Sequence, residues 1–101
     1  MITDTHSHLF WKRFDDDRDE VIARAKAAGV ERMLVVGTTL ETSKSSFELA
    51  AMHEGLFPTA GVHPHDVEEP WETVRKEISA LCALEECVAV GETGLDYFRD
   101  Y

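Results

Sequence analysis

The sequence predicts an α/β fold built from parallel β/α repeats. Short apolar runs at residues 2–6, 32–37, 57–62 and 87–91 alternate with segments whose apolar residues recur at helical spacing. Gly29 and Gly55 close two of those segments, as a glycine does just past a helix end. Strands joined through short connections and an intervening helix run parallel, with right-handed crossovers.

Each element has its own signal. Ile2 to His6 reads as the first strand. Asp15 to Asp17 offer N-caps for a helix, with Glu20 three residues after Asp17 in capping-box register. Val21, Ile22, Ala25 and Ala28 form its apolar stripe. Arg32 to Gly37 holds Met33, Leu34, Val35 and Val36 in unbroken succession, the pattern of a strand covered on both faces. Thr39 or Thr42 caps the next helix, which carries Phe47, Ala50, Ala51 and Glu54. Phe57 to Val62 is the third strand, and Cys87 to Gly91 the fourth. Between them, Pro70 suits the first turn of a helix with the stripe Val74, Ile78 and Leu81. The expectation is one domain, or part of one, over residues 1–101; a four-stranded open sheet and the first half of a barrel look alike at this stage.

Twenty acidic residues against ten basic ones leave a net charge of -10, which argues against broad attraction to nucleic acid or an anionic membrane. A nucleic-acid substrate remains open, because divalent cations reverse the local potential of a carboxylate-lined cleft. Lys12, Arg13 and Arg99 also stand near the candidate ligands. No stretch has the length of a membrane-spanning helix, and the N-terminus lacks the layout of a secretory signal. Met1 leads almost directly into the first histidines, so the expectation is a cytoplasmic protein with nothing missing at that end and no membrane partner. Cys82 and Cys87 read as two buried, reduced thiols, with a disulfide or half of a metal site as the rival reading.

The chemistry gathers where the strands end. His6 and His8, two apart at a strand end, share one side of the pleat, and Asp4 on the same face is a candidate acceptor to orient His6. Glu92 follows the fourth strand between Gly91 and Gly94, glycines that permit close backbone approach and unusual dihedrals. Imidazole with carboxylate suits zinc, manganese or iron and points to metal-assisted hydrolysis, in which such a carboxylate can bridge two ions. A second pair, His63 and His65 around Pro64, stands at the mouth of the third strand; His63 is the better candidate for touching a phosphate or moving a proton. Solvated loop histidines are the plainer reading of that pair. Asp96 reads as either a helix cap or a partner to this group, and His53 as a surface residue favoured by the helix dipole. Phe10, Trp11 and Phe14, like Tyr97 and Phe98, form either a stacking surface for nucleobases or loop packing.

With Thr3-Asp4-Thr5-His6-Ser7-His8-Leu9, Gly61-Val62-His63-Pro64-His65 and Gly91-Glu92-Thr93-Gly94-Leu95-Asp96-Tyr97 in this order, the chain resembles the TatD family of metal-dependent hydrolases over its whole length. The resemblance implies the first four β/α units of a TIM-barrel metallohydrolase of the amidohydrolase type. It further implies a deoxyribonuclease, often a 3′-to-5′ exonuclease, using divalent ions, two in number, of Mg2+, Mn2+ or Zn2+. By matching position, His6 and His8 would bind one metal and Glu92 would bridge two, while His63 would lie in the substrate pocket, with His65 and Asp96 beside it. Glu92 and His63 are then the catalytic candidates, and DNA the expected substrate.

Two local departures are Phe10, where the family usually has Asp or Asn, and Thr93, where it usually has an aliphatic residue. The larger one is length. Family members reach about 250–260 residues, the usual barrel size, and their later ligands, two histidines and an aspartate, lie beyond Tyr101. Four strands cannot close an eight-stranded barrel, so the first and fourth should be open edges. The expectation is therefore a truncated product, a fragment, or a half-barrel that needs a second copy or a C-terminal half. The rival functions are another amidohydrolase-type C–N or ester hydrolase, and a catalytically inert half-barrel acting as an interaction module.

Overall fold

Strand and helix alternate along the chain in the computed structural model, which describes residues 1–98. Arg99, the third basic residue noted near the ligands, lies outside the described residues. The elements are β1 (Ile2–Ser7), α1 (Arg18–Ala27), β2 (Val30–Val35), α2 (Leu40–Met52), β3 (Leu56–Ala60), α3 (Trp71–Cys82) and β4 (Ala89–Val90). A short 3-10 turn, Lys12–Phe14, follows β1.

All neighbouring strands pair in parallel, and the spatial order β1-β2-β3-β4 repeats the order in sequence. That order separates the two architectures the sequence left open. A doubly wound sheet reverses direction at a switch point, whereas a barrel adds each strand on the same side of the last. The sheet therefore follows the barrel path through three complete β/α units and a fourth strand.

The cause of each helix boundary is local. At α2 the Thr39 hydroxyl accepts the Thr42 backbone N–H at 3.0 Å, and the Thr42 hydroxyl accepts the Thr39 N–H at 2.8 Å. Both threonines cap, reciprocally, where the sequence offered either one. The capping box expected of Asp17 and Glu20 does not form: Asp17 is the N-cap of α1, but its side chain makes no capping bond. Arg18 fastens this turn instead, through the Asp15 carboxylate at 2.8 Å. Pro70 stands at the N-cap of α3, one position before the helix proper. Gly29 and Gly55 follow the helices with positive φ, as their place in the sequence required.

The core lies between the sheet and helices α1 and α2, around Leu9, Ile22, Met33, Val35, Leu49 and Leu56. β2 begins two residues earlier than expected, with half-buried Val30 followed by exposed Glu31 and Arg32, and its buried residues, Met33 and Val35, lie in its second half. β4 is two residues long rather than five. The stripe of α2 is also different. Its buried residues are Ser43, Ser46 and Leu49, while Ala51 is exposed. Among the described residues, no helix is long and apolar enough to cross a membrane.

Candidate metal centre

The pleat of β1 and the exit of the chain beyond it bring the His6 and His8 Nε2 atoms to 3.2 Å of each other. The Glu92 carboxylate, two residues past β4, places Oε2 3.1 Å from His6 Nε2 and 3.5 Å from His8 Nε2. Three atoms from opposite ends of the chain thus form a triangle with nearly equal sides. Ligands about 2.05 Å from one ion at tetrahedral angles stand about 3.3 Å apart. The triangle has that size, and its two imidazoles and a carboxylate are the donors that zinc, manganese and iron accept. The residues fit a divalent cation.

Hydrogen bonds fix which atoms carry lone pairs. His8 Nδ1 lies 2.8 Å from the Val36 carbonyl. A carbonyl only accepts, so Nδ1 bears the hydrogen and Nε2 is left as a ligand atom aimed at Glu92. His63 is the converse case. Its Nδ1 accepts the His65 backbone N–H at 3.1 Å, so the neutral ring carries its proton on Nε2. That nitrogen stands 3.7 Å from Glu92 Oε1. Glu92 therefore turns one oxygen to the His6–His8 pair and the other to His63.

A single stretch of backbone holds this arrangement. At the exit of β2, the Val36 carbonyl takes the His8 ring, the Gly37 carbonyl takes the Glu92 N–H at 2.7 Å, and the Thr38 carbonyl takes the His63 N–H at 2.8 Å. Three successive carbonyls each fix one candidate residue, through main-chain atoms of Val36, Gly37 and Thr38. Reading the sequence for reactive side chains misses such a frame, although Gly37 marks it. A Cβ there would strike the Ser43 hydroxyl and its Cα.

Close approach also occurs at a glycine other than the expected one. A Cβ on Gly61 would lie 2.6 Å from the Gly91 carbonyl carbon and from the Glu92 backbone oxygen. One on Gly91 would meet nothing within 4 Å. Gly94 does adopt a positive φ, of 117°. The buried Ser43 hydroxyl bonds both the N–H and the carbonyl of Gly61, each at 3.2 Å, and so holds the strand end that faces Glu92.

The remaining candidates divide. His65 Nδ1 lies 3.5 Å from Asp96 Oδ2, and Asp96 Oδ1 accepts the Phe98 N–H at 2.9 Å. His63 also has Asp66 at 4.0 Å. The second histidine pair, Glu92 and Asp96 thus form one array of acids and imidazoles along the strand ends. Asp4 takes a different part: its carboxylate accepts the His6 backbone N–H at 3.0 Å, because a side chain two residues back reaches the main chain first. His53 is not a free surface residue; it caps the end of α2, half-buried, 3.2 Å from Asp19 of α1. Trp11 stacks on His8, whereas Tyr97 and Phe98 are exposed. Both cysteines are free thiols and half-buried; burial pushes the Cys82 thiol up from its ordinary value, with Cys87 adding to the rise.

Both the sequence and the fold have matches among known proteins. The chain is 47% identical over 89 residues to the 3'-5' ssDNA/RNA exonuclease TatD of Cronobacter sakazakii, covering 88% of this chain and 34% of that protein. It is 43% identical over 94 residues to the Klebsiella pneumoniae protein of the same name, covering 93% and 36%. Among solved structures, the crystal structure of YJJV, a TatD homologue from Escherichia coli K12, superposes with a TM-score of 0.85 at 31% identity, over 98% of this chain and 39% of that one. The chain thus spans about a third of the length of the curated relatives it matches. The profile of the TatD related DNase family matches residues 3–101, and with the fold and the strand-end motifs in agreement, the chain belongs to that family.

Proposed function

We propose that residues 1–101 are the N-terminal, ion-binding part of a metal-dependent hydrolase that cleaves phosphodiester bonds in nucleic acid. The convergence of His6 Nε2, His8 Nε2 and Glu92 Oε2 at 3.1 to 3.5 Å carries this reading. In it, His6 and His8 would hold one divalent ion, Mg2+, Mn2+ or Zn2+, and Glu92 would serve that ion and, in a completed barrel, a second. Bound there, the ions would supply Lewis acidity toward a phosphoryl oxygen and make water acidic at neutral pH.

The side chains do the rest. Glu92 presents Oε2 to the same point as the two imidazole Nε2 atoms, and its other oxygen lies toward His63. His63 offers an Nε2–H donor beside that point, suited to a phosphate oxygen on which charge develops. His65 fixes the His63 tautomer through its backbone, and Asp96 stands against the His65 ring. Single-stranded DNA, attacked from its 3′ end, is the substrate we assign, because relatives 47% and 43% identical to the chain are named 3'-5' ssDNA/RNA exonucleases. We read the protein as cytoplasmic, in keeping with its two free thiols.

Turnover on this reading requires a polypeptide that completes the barrel, either a C-terminal portion or a second copy. Among the described residues, the first and last strands of the sheet each have one unpaired side. The test is Mn2+-dependent release of nucleotides from a 3′-labelled single-stranded oligonucleotide, with the chain alone and with the remaining strands of a relative supplied in trans. Release by the complemented chain, stopped by EDTA and by Glu92→Gln, is expected. Hydrolysis of amide or carboxylic ester substrates without nucleotide release would contradict it and favour the C–N or ester reading.

A further inference from the structure

The Val36 carbonyl is not the only group that restrains His8. The Trp11 indole lies flat against its ring, with centroids 4.7 Å apart and planes 14° from parallel. Trp11 sits in a loop gathered by one side chain. Arg18, at the start of α1, donates from Nε to the Leu9 carbonyl at 2.6 Å and from Nη2 to the carbonyls of Phe10 at 3.2 Å and Trp11 at 2.9 Å. Its charge is balanced by Asp15 at 2.8 Å, so the guanidinium does not oppose a cation nearby. Three successive carbonyls on one guanidinium use the planar fork of arginine, which the single-point ammonium of lysine does not reproduce. The Trp11 backbone N–H closes the loop onto the His8 carbonyl at 3.0 Å.

We infer that Trp11 and Arg18 are positioning residues for His8: Arg18 fixes the Leu9–Trp11 loop, and the loop holds a flat indole against the imidazole so that Nε2 stays aimed at Glu92. A ring tethered only at Nδ1 still swings about that bond. A face-on indole removes the swing, and a ligand ordered in advance binds its ion with less entropy lost on binding. This rests on the reading that His6, His8 and Glu92 hold a divalent ion. An aromatic that merely filled space in the loop would need bulk but no flat face, and the two roles separate on that point.

The test is titration of Mn2+ into the full chain and into Trp11→Phe, Trp11→Leu and Arg18→Lys, read by calorimetry, with circular dichroism confirming that each variant is folded. Trp11→Leu and Arg18→Lys should raise the Kd about 10-fold or more, as loss of groups that orient a ligand does. Trp11→Phe, which keeps a flat face, should stay within about 3-fold of the parent. In a Trp71→Phe background, Mn2+ should also change the emission of Trp11, the one remaining tryptophan, through its contact with His8. Unchanged Kd values in Trp11→Leu and Arg18→Lys, with the parent binding Mn2+, would overturn this inference alone. Absence of binding by the parent would overturn the metal reading together with it.

Discussion

A carboxylate from residue 92 meets two imidazoles from residues 6 and 8 because the backbone at Gly61 can touch the backbone at Gly91 and Glu92. A methyl group on Gly61 would sit 2.6 Å from that backbone, which has no flexible side chain to move aside. Gly61→Ala should therefore cost about 1–3 kcal/mol in overpacking and also weaken ion binding, since Glu92 must shift. Gly91→Ala meets open space and should melt close to the parent. Thermal melts of the two variants check this, and equal losses would contradict it. Both glycines stand in recognisable motifs, but only the tertiary contact shows which one bears the close approach. The histidines and Glu92 were plain in the sequence because their spacing speaks for itself; the Val36–Thr38 carbonyls that hold them have no side-chain signature. Cys82 adds a pH dependence. Its raised pKa keeps the thiol protonated to higher pH than a free cysteine, so its alkylation by iodoacetamide, measured in Cys87→Ser, should accelerate only at correspondingly higher pH. Burial is the first cause of the shift, so it should persist in that variant.

Helix α2 is the element on which the site leans. Its start was readable from Thr39 and Thr42, and each hydroxyl accepts the other's backbone N–H. Thr39→Ala should cost about 1 kcal/mol, the usual worth of an N-cap, measurable as a shift in the urea midpoint. Its buried face was not readable by apolar spacing. Ser43 and Ser46 are polar by composition, yet both are fully buried, with their hydroxyls on the carbonyls of Gly61 and Thr59. Small side chains let the helix approach β3, and their hydroxyls satisfy carbonyls that a hydrophobic face would leave bare. Ser43→Ala strips the Gly61 N–H and carbonyl of this shared partner. It should destabilise by about 1–3 kcal/mol, and Ser43→Val by more, since Gly37 has no room to give.

At the scale of the whole molecule, the alternation of strand and helix was enough to expect parallel β/α units, and strand order then selected the barrel path. The short β4 was harder to foresee, because its expected residues lie at an open edge where Val88 and Val90 are exposed, the latter at 65%. Ile2, at the other edge, is 56% exposed. Unpaired strand edges with apolar side chains recruit further strands. Sedimentation velocity should accordingly show association that rises with protein concentration, and addition of the remaining strands of a relative should abolish it. A chain that stays monomeric at high concentration would contradict the open-edge account. The proposed function depends above all on the ion. Calorimetric titration of Mn2+ into the full chain, His8→Ala and Glu92→Ala is the decisive measurement. One saturable ion on the parent, lost in both variants, is expected. No saturable ion on the parent, or equal binding in all three proteins, would contradict it.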